Sequence, residues 1–191
     1  MVGDLRNRIE LLDFVESNGV NSALELGVFR GEYSQSILER TGISKLYLVD
    51  PWAGTGMRQQ WNGEEAYGQV QRRLRPFGNR VELLRMTGDE ADSQFLGLVT
   101  TFDFIYIDGD HSYEGIVKDL EQAVRKVKPD GWIVCNDYTI FSPIENTKYG
   151  VYRAVNELCL EHDWEIVYMG LHRWGYHDVA LRRRQVGADG S

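Results

Sequence analysis

The segment Tyr106-Ile107-Asp108-Gly109-Asp110-His111-Ser112-Tyr113-Glu114-Gly115 concentrates reactive side chains: two carboxylates and an imidazole fall between positions 108 and 111. A carboxylate or an imidazole can take a proton from an attacking hydroxyl, and histidine titrates near neutrality. Carboxylates also ligate hard divalent cations. Glu25, Asp50 and the pair Asn136-Asp137 stand in or just after other short apolar runs. Glu25 and Asp50 are 25 residues apart and Asp108 and Asp137 are 29 apart. Each interval is close to one strand-helix-strand unit. These acids should therefore recur on one rim of one sheet. There they repel each other unless a cation or hydroxyl groups satisfy them. The plain alternative for each is that it caps the helix that follows.

A second segment reads Glu25-Leu26-Gly27-Val28-Phe29-Arg30-Gly31. Two glycines four apart at a strand-to-helix turn let the backbone approach a ligand closely. A dinucleotide fingerprint would need glycine at position 29, where Phe29 stands, so a pyrophosphate cradle is not expected.

The elements that must position these residues follow from the pattern. Leu5, Ile9, Leu12 and Val15 are spaced as one face of a helix that Asn18-Gly19 ends. Short apolar runs then appear at Ala23–Leu26, Leu46–Val49, Val81–Leu84, Phe102–Ile107 and Trp132–Cys135. Such runs, bounded by turn residues, read as buried parallel strands. Helix-like stretches at Tyr33–Arg40, Glu64–Leu74, Tyr113–Val127 and Val151–Glu161 are interleaved with them. Two final strands, Trp164–Met169 and Asp178–Arg182, are joined too tightly for a parallel crossover and should be antiparallel. The expected fold is α/β: a Rossmann-like, seven-stranded, mainly parallel sheet with an antiparallel terminal hairpin and helices on both faces. We expect one domain over residues 1–184, with the helix in 1–19 packed on it and a frayed tail at 185–191.

Composition narrows the partners. The chain has 191 residues, 21 Lys plus Arg against 29 Asp plus Glu, and a formal net charge of −8. That balance argues against general nucleic-acid binding and against docking on an anionic membrane. Nothing resembles a membrane span or a signal peptide, and the two cysteines, Cys135 and Cys159, make no disulfide framework. A cytoplasmic location is expected. Residues 58–85 hold six arginines and three glutamates. This basic stretch reads as a solvated helix face, with an anionic acceptor as the sharper alternative.

The E-x-G-x-x-x-G of Glu25, Gly27 and Gly31 resembles the first motif of class I S-adenosylmethionine-dependent methyltransferases. The likeness extends to Asp50, where that family holds ribose hydroxyls, and to Thr87-Gly88-Asp89, where relatives contact adenine. It covers residues 20 to 182. The resemblance implies a cofactor site of Glu25, Gly27, Gly31, Asp50, Trp52, Gly88, Asp89 and Asp108. The segment D-G-D-H-S-Y is similar to that of small stand-alone methyltransferases and of metal-dependent sugar O-methyltransferases. By that likeness Asp108, Asn136 and Asp137 would hold Mg²⁺ or Mn²⁺, with Asn136 standing where relatives carry an acid. Asp110 or His111 would be the base. The implied reaction is Mg²⁺-assisted O-methylation of a small molecule or sugar. Metal-independent N- or O-methylation, and a non-catalytic or hydroxylase-like relative, stay open, as does a homodimer. The loops Ala53–Gly63 and Ile140–Gly150 are expected to shape the acceptor site.

Overall fold

The computed structural model describes residues 10–53, 62–95, 97 and 101–185. Leu5, Ile9, most of the expected lid between Ala53 and Gly63, and most of the tail lie outside the described residues. Seven strands form one sheet: β1 (Ser22–Leu26), β2 (Lys45–Val49), β3 (Val81–Leu84), β4 (Phe102–Ile107), β5 (Val127–Tyr138), β8 (Trp164–Gly170) and β9 (His177–Arg183), in the order β3-β2-β1-β4-β5-β9-β8. The pairs among β1 to β5 are parallel, and β5–β9 and β8–β9 are antiparallel. The chain steps outward from β1 through β2 to β3, then returns to place β4 on the other side of β1. A ligand crevice forms where a sheet reverses its winding in this way, outside the strands' carboxyl ends.

Both faces of the sheet are buried, which is why its strands read as near-continuous apolar runs. Leu24, Leu26, Ile105, Ile107, Ile133 and Cys135 pack on one side. Ala23, Leu46, Leu48, Phe104, Tyr106, Trp132 and Val134 pack on the other. The described helical residues 10–16 (α1) bury Leu11, Leu12 and Val15 against that second side. Helices α2 (Glu32–Arg40) and α3 (Gly63–Leu74) cover the same side through Ile37, Ala66, Val70 and Leu74. Helix α5 (Tyr113–Lys126) covers the first side with Ile116, Leu120 and Ala123. It starts where the Ser112 hydroxyl accepts from the Gly115 N–H at 3.1 Å. Helix α6 (Val151–Glu161) lies on that side too, through Val151, Ala154 and Val155.

Three features go beyond the pattern of the sequence. A short helix α4 (Gly88–Gln94) follows β3, closed by a reciprocal capping box between Thr87 and Glu90. Strand β5 runs longer than its apolar run, because Val127 pairs with Phe102 and Tyr138 with His177. The segment after β5 forms a small hairpin, β6 (Phe141–Ser142) and β7 (Thr147–Lys148). Two of the arginines in the basic stretch are structural rather than a solvated face. Arg80 donates to the carbonyls of Leu38, Thr41 and Ile43 beyond the end of α2. Arg73 donates to the Arg30 carbonyl, Gln35 and Glu32. Among the described residues no helix is long and apolar enough to cross a membrane.

Candidate active site

A cavity of about 510 Å³ opens at the winding reversal, within the range of small-molecule sites. Its floor is the turn after β1. Gly27 has φ of +86°, and a Cβ there would lie 2.0 Å from the Asp108 carbonyl oxygen, so only glycine fits. Phe29 and Gly31 also adopt positive φ. Asp50 pins this turn: its carboxylate accepts from Val28 and Phe29 N–H, both at 3.0 Å, and from Trp52 N–H at 2.7 Å. A carboxylate has about four lone-pair positions, so Asp50, which lines the cavity, keeps acceptor capacity beyond these three bonds. The Trp52 indole donates to the Phe29 carbonyl at 2.8 Å and packs on Tyr67. Trp52 is thus both wall and brace.

Of the expected cofactor residues, Gly27, Asp50, Trp52 and Gly88 line the cavity. Glu25 is buried at the end of β1, and Gly31 caps α2 behind the turn. The Asp89 side chain is 80 % exposed and lies 3.9 Å from Lys118. A carboxylate that the motifs do not mark does line the cavity: Asp119, on α5. A Cβ added to Gly109 would lie 3.0 Å from one of its oxygens, and one added to Gly88 would lie 3.5 Å from the other. Asp119 therefore stands between the ends of β3 and β4. Burial, then the neighbouring Asp110 and Asp89, push its carboxyl up to about 7, against weaker opposing pulls from His111 and Lys118.

The other end of the cavity is built on His111. Its Nε2 lies 3.5 Å from Asp108 Oδ1 and 3.7 Å from Asp137 Oδ2. Its ring stacks on Tyr149 at 4.6 Å with an interplanar angle of 8°. The Tyr149 hydroxyl donates to Glu145 at 2.7 Å, and the Gly150 N–H donates to the His111 carbonyl at 2.7 Å. Asp137 reaches this position with φ of +55°, a conformation that asparagine and aspartate tolerate best among non-glycine residues. Asp110 accepts from the Ser112 N–H at 2.9 Å and lines the cavity beside His111. Asn136 faces away: its amide donates to Asp178 at 2.7 Å, and both side chains are buried.

This donor set bears directly on metal binding. Among the described residues no group of three or more His, Cys, Asp or Glu side chains is arranged to hold a metal ion. The carboxylates of Asp108 and Asp137 converge on the imidazole, and the Asn136 amide is committed to Asp178. A divalent cation held by Asp108 and Asp137 would need the imidazole ring to turn away. The residues as placed do not fit one. A sulfonium cofactor fits better. Asp50, Asp110 and Glu145 line the cavity against Lys148 and His111, which gives an acidic interior suited to a cation.

Known proteins agree with this architecture. The chain resembles an O-methyltransferase from Bacillus cereus in complex with S-adenosylhomocysteine (TM-score 0.67, 18% identity, 92% of this chain and 80% of that one). It also resembles the O-methyltransferase TomG from Streptomyces achromogenes, solved with S-adenosylmethionine (TM-score 0.65, 17% identity, 96% and 79%). The N-methyltransferase NodS from Bradyrhizobium japonicum is similar too (TM-score 0.63, 15% identity, 94% and 96%). These likenesses concern the fold. An uncharacterized protein of Acanthamoeba polyphaga mimivirus is 28% identical over 117 residues, which is 60% of this chain and half the length of that relative. A methyltransferase-domain family model matches residues 24–138. With more than half of its length matched, the chain belongs to the methyltransferase-domain family, on the class I fold of S-adenosylmethionine-dependent methyltransferases.

Proposed function

We propose that the protein transfers a methyl group from S-adenosylmethionine to a hydroxyl of a small molecule, with His111 as the base. The observation that carries this reading is the convergence of Asp108 and Asp137 on His111 Nε2 at one end of the acidic cavity. Bound S-adenosylmethionine supplies an electrophilic methyl group. The chain must supply a nucleophile and a destination for its proton. His111 takes that proton as the acceptor oxygen attacks. Asp108 and Asp137 balance the positive charge the ring then carries. The Tyr149 ring holds the imidazole plane, so the acceptor oxygen meets it in one orientation. The hairpin β6–β7 brings Glu145 and Lys148 to the cavity wall, and a polar acceptor such as a sugar suits that wall. Magnesium assistance is the second reading, favoured by the two converging carboxylates, but it enters no step here because the donor set does not fit.

The test uses S-adenosylhomocysteine in a thermal-shift assay and labelled S-adenosylmethionine with a panel of hydroxylated acceptors. The product should stabilise the protein. His111→Ala should keep that stabilisation and lose methyl transfer by about 10²–10⁴-fold. Methyl transfer should persist in EDTA. Loss of transfer in EDTA, restored by Mg²⁺, would favour the metal-assisted reading. No stabilisation by the product would sink the cofactor assignment.

A further inference from the structure

We propose that Asp119 recognises the base edge of the bound nucleoside, accepting from the adenine amino group and donating to the adjacent ring nitrogen. This rests on the S-adenosylmethionine reading above and adds the residue that pairs with the adenine amino group. The geometry is particular. Gly88 opens α4 after β3, Gly109 stands in the turn after β4, and the Asp119 carboxylate presents one oxygen toward each. A side chain at Gly109 would press on it, and one at Gly88 would reach it at contact distance, so the glycine at 109 above all leaves it open to the cavity it lines. One turn further along α5, Gln122 donates to the Gly88 carbonyl at 3.1 Å and is itself buried. That bond fixes the distance between α5 and the turn after β3, and hence the width of the slot beside Asp119.

The chemistry follows from the slot. An adenine edge offers an N–H donor next to a nitrogen acceptor. A neutral carboxylic acid offers the matching acceptor and donor side by side. Asparagine offers the same pair, which is how it reads adenine in nucleic acids. Burial and the facing Asp110 and Asp89 favour the neutral acid, while His111 and Lys118 oppose it. The Asp89 side chain, where the family motif would put adenine contact, points to solvent.

Isothermal titration at pH 6 with S-adenosylhomocysteine and its analogue in which hydrogen replaces the adenine amino group tests the assignment. The unsubstituted purine keeps the ring nitrogen but has no N–H to offer, so the buried acceptor oxygen of the acid is left unpaired. The native protein should prefer adenine by tenfold or more. Asp119→Asn should keep that preference. Asp119→Leu should lose most of it, while still binding. The ratio of two affinities in one preparation does not depend on how much of a variant is folded. An unchanged ratio in Asp119→Leu overturns the proposal, and so does its loss in Asp89→Ala alone. Binding of neither ligand by the native protein would instead overturn the cofactor reading itself.

Discussion

His111 lies inside the turn that the sequence motif marks and Asp119 six residues beyond the motif's Tyr113, yet they do different work there. His111 is polarised by two carboxylates at 3.5 and 3.7 Å. Asp119 is held near its own titration point by burial beside Asp110 and Asp89. The second case has a measurable consequence for stability. The folded carboxyl titrates at about 7, while its ordinary value is 3.8. Between these, the folded chain keeps a proton that the unfolded chain has lost, so stability falls as pH rises from about 4 to about 7 and then levels. Asp119→Asn removes that dependence. In thermal unfolding without ligand, the variant should gain on the native protein as pH is raised from about 5 to about 8.5. An equal difference at both pH values would mean that the carboxyl is not held neutral. His111 was legible from the sequence, because a strand-to-turn motif brings it to the rim. Asp119 was not, because its place depends on how α5 lies over the sheet. A signal did exist: Asp119 falls three residues after buried Ile116 and four before buried Ala123, on the inward stripe of α5. Tyr149 and Asp178 escaped for the same reason, since their partners are 38 and 42 residues away.

At the scale of elements, the strands were legible and the connections less so. Two-sided burial makes each parallel strand an apolar run, and a carboxylate or glycine at its end marks the rim. The hairpin β6–β7 has strands of two residues each, too short for any period. The arginine stretch shows the same limit. Composition suggested a solvated face, whereas Arg80 spans the gap from the turn after α3 to the end of α2. Its guanidinium satisfies two carbonyls that the helix end leaves open, Leu38 and Thr41, and that of Ile43 in the segment that follows. Those bonds hold α2, and α2 begins at Gly31, at the far end of the cofactor turn. Arg80→Ala should therefore cost about 1–3 kcal/mol, the range for losing charged hydrogen bonds and leaving their acceptors unpaired. Arg80→Lys should recover only part, because one ammonium cannot span the same carbonyls. Denaturant unfolding measures both. A loss below about 0.5 kcal/mol in Arg80→Ala would return this arginine to the solvated surface.

The whole molecule carries a formal charge of −8, and the cavity concentrates part of it. Asp50, Asp110 and Glu145 line it against one lysine and one histidine, beside an Asp119 whose carboxyl is held largely neutral below about pH 7. Glu25 and the pair Asp108 and Asp137 lie behind that wall. A field of one sign inside a low-dielectric cleft acts on the net charge of what enters. S-adenosylmethionine differs from S-adenosylhomocysteine by one methyl group and one positive charge on sulfur. The two share every other group, so their affinity ratio reads the field at the sulfur. Salt shortens the reach of exposed charges, from about 30 Å at 0.01 M to about 3 Å at 1 M. Raising the salt from about 0.02 M to about 0.5 M should thus weaken the sulfonium form more than the thioether form. Asp110→Asn should lower the ratio at low salt and flatten its salt dependence, since one of the wall's charges is gone. Parallel loss of both ligands with salt would mean that the carboxylates serve the turns alone, and that the acidic wall does not discriminate substrate from product.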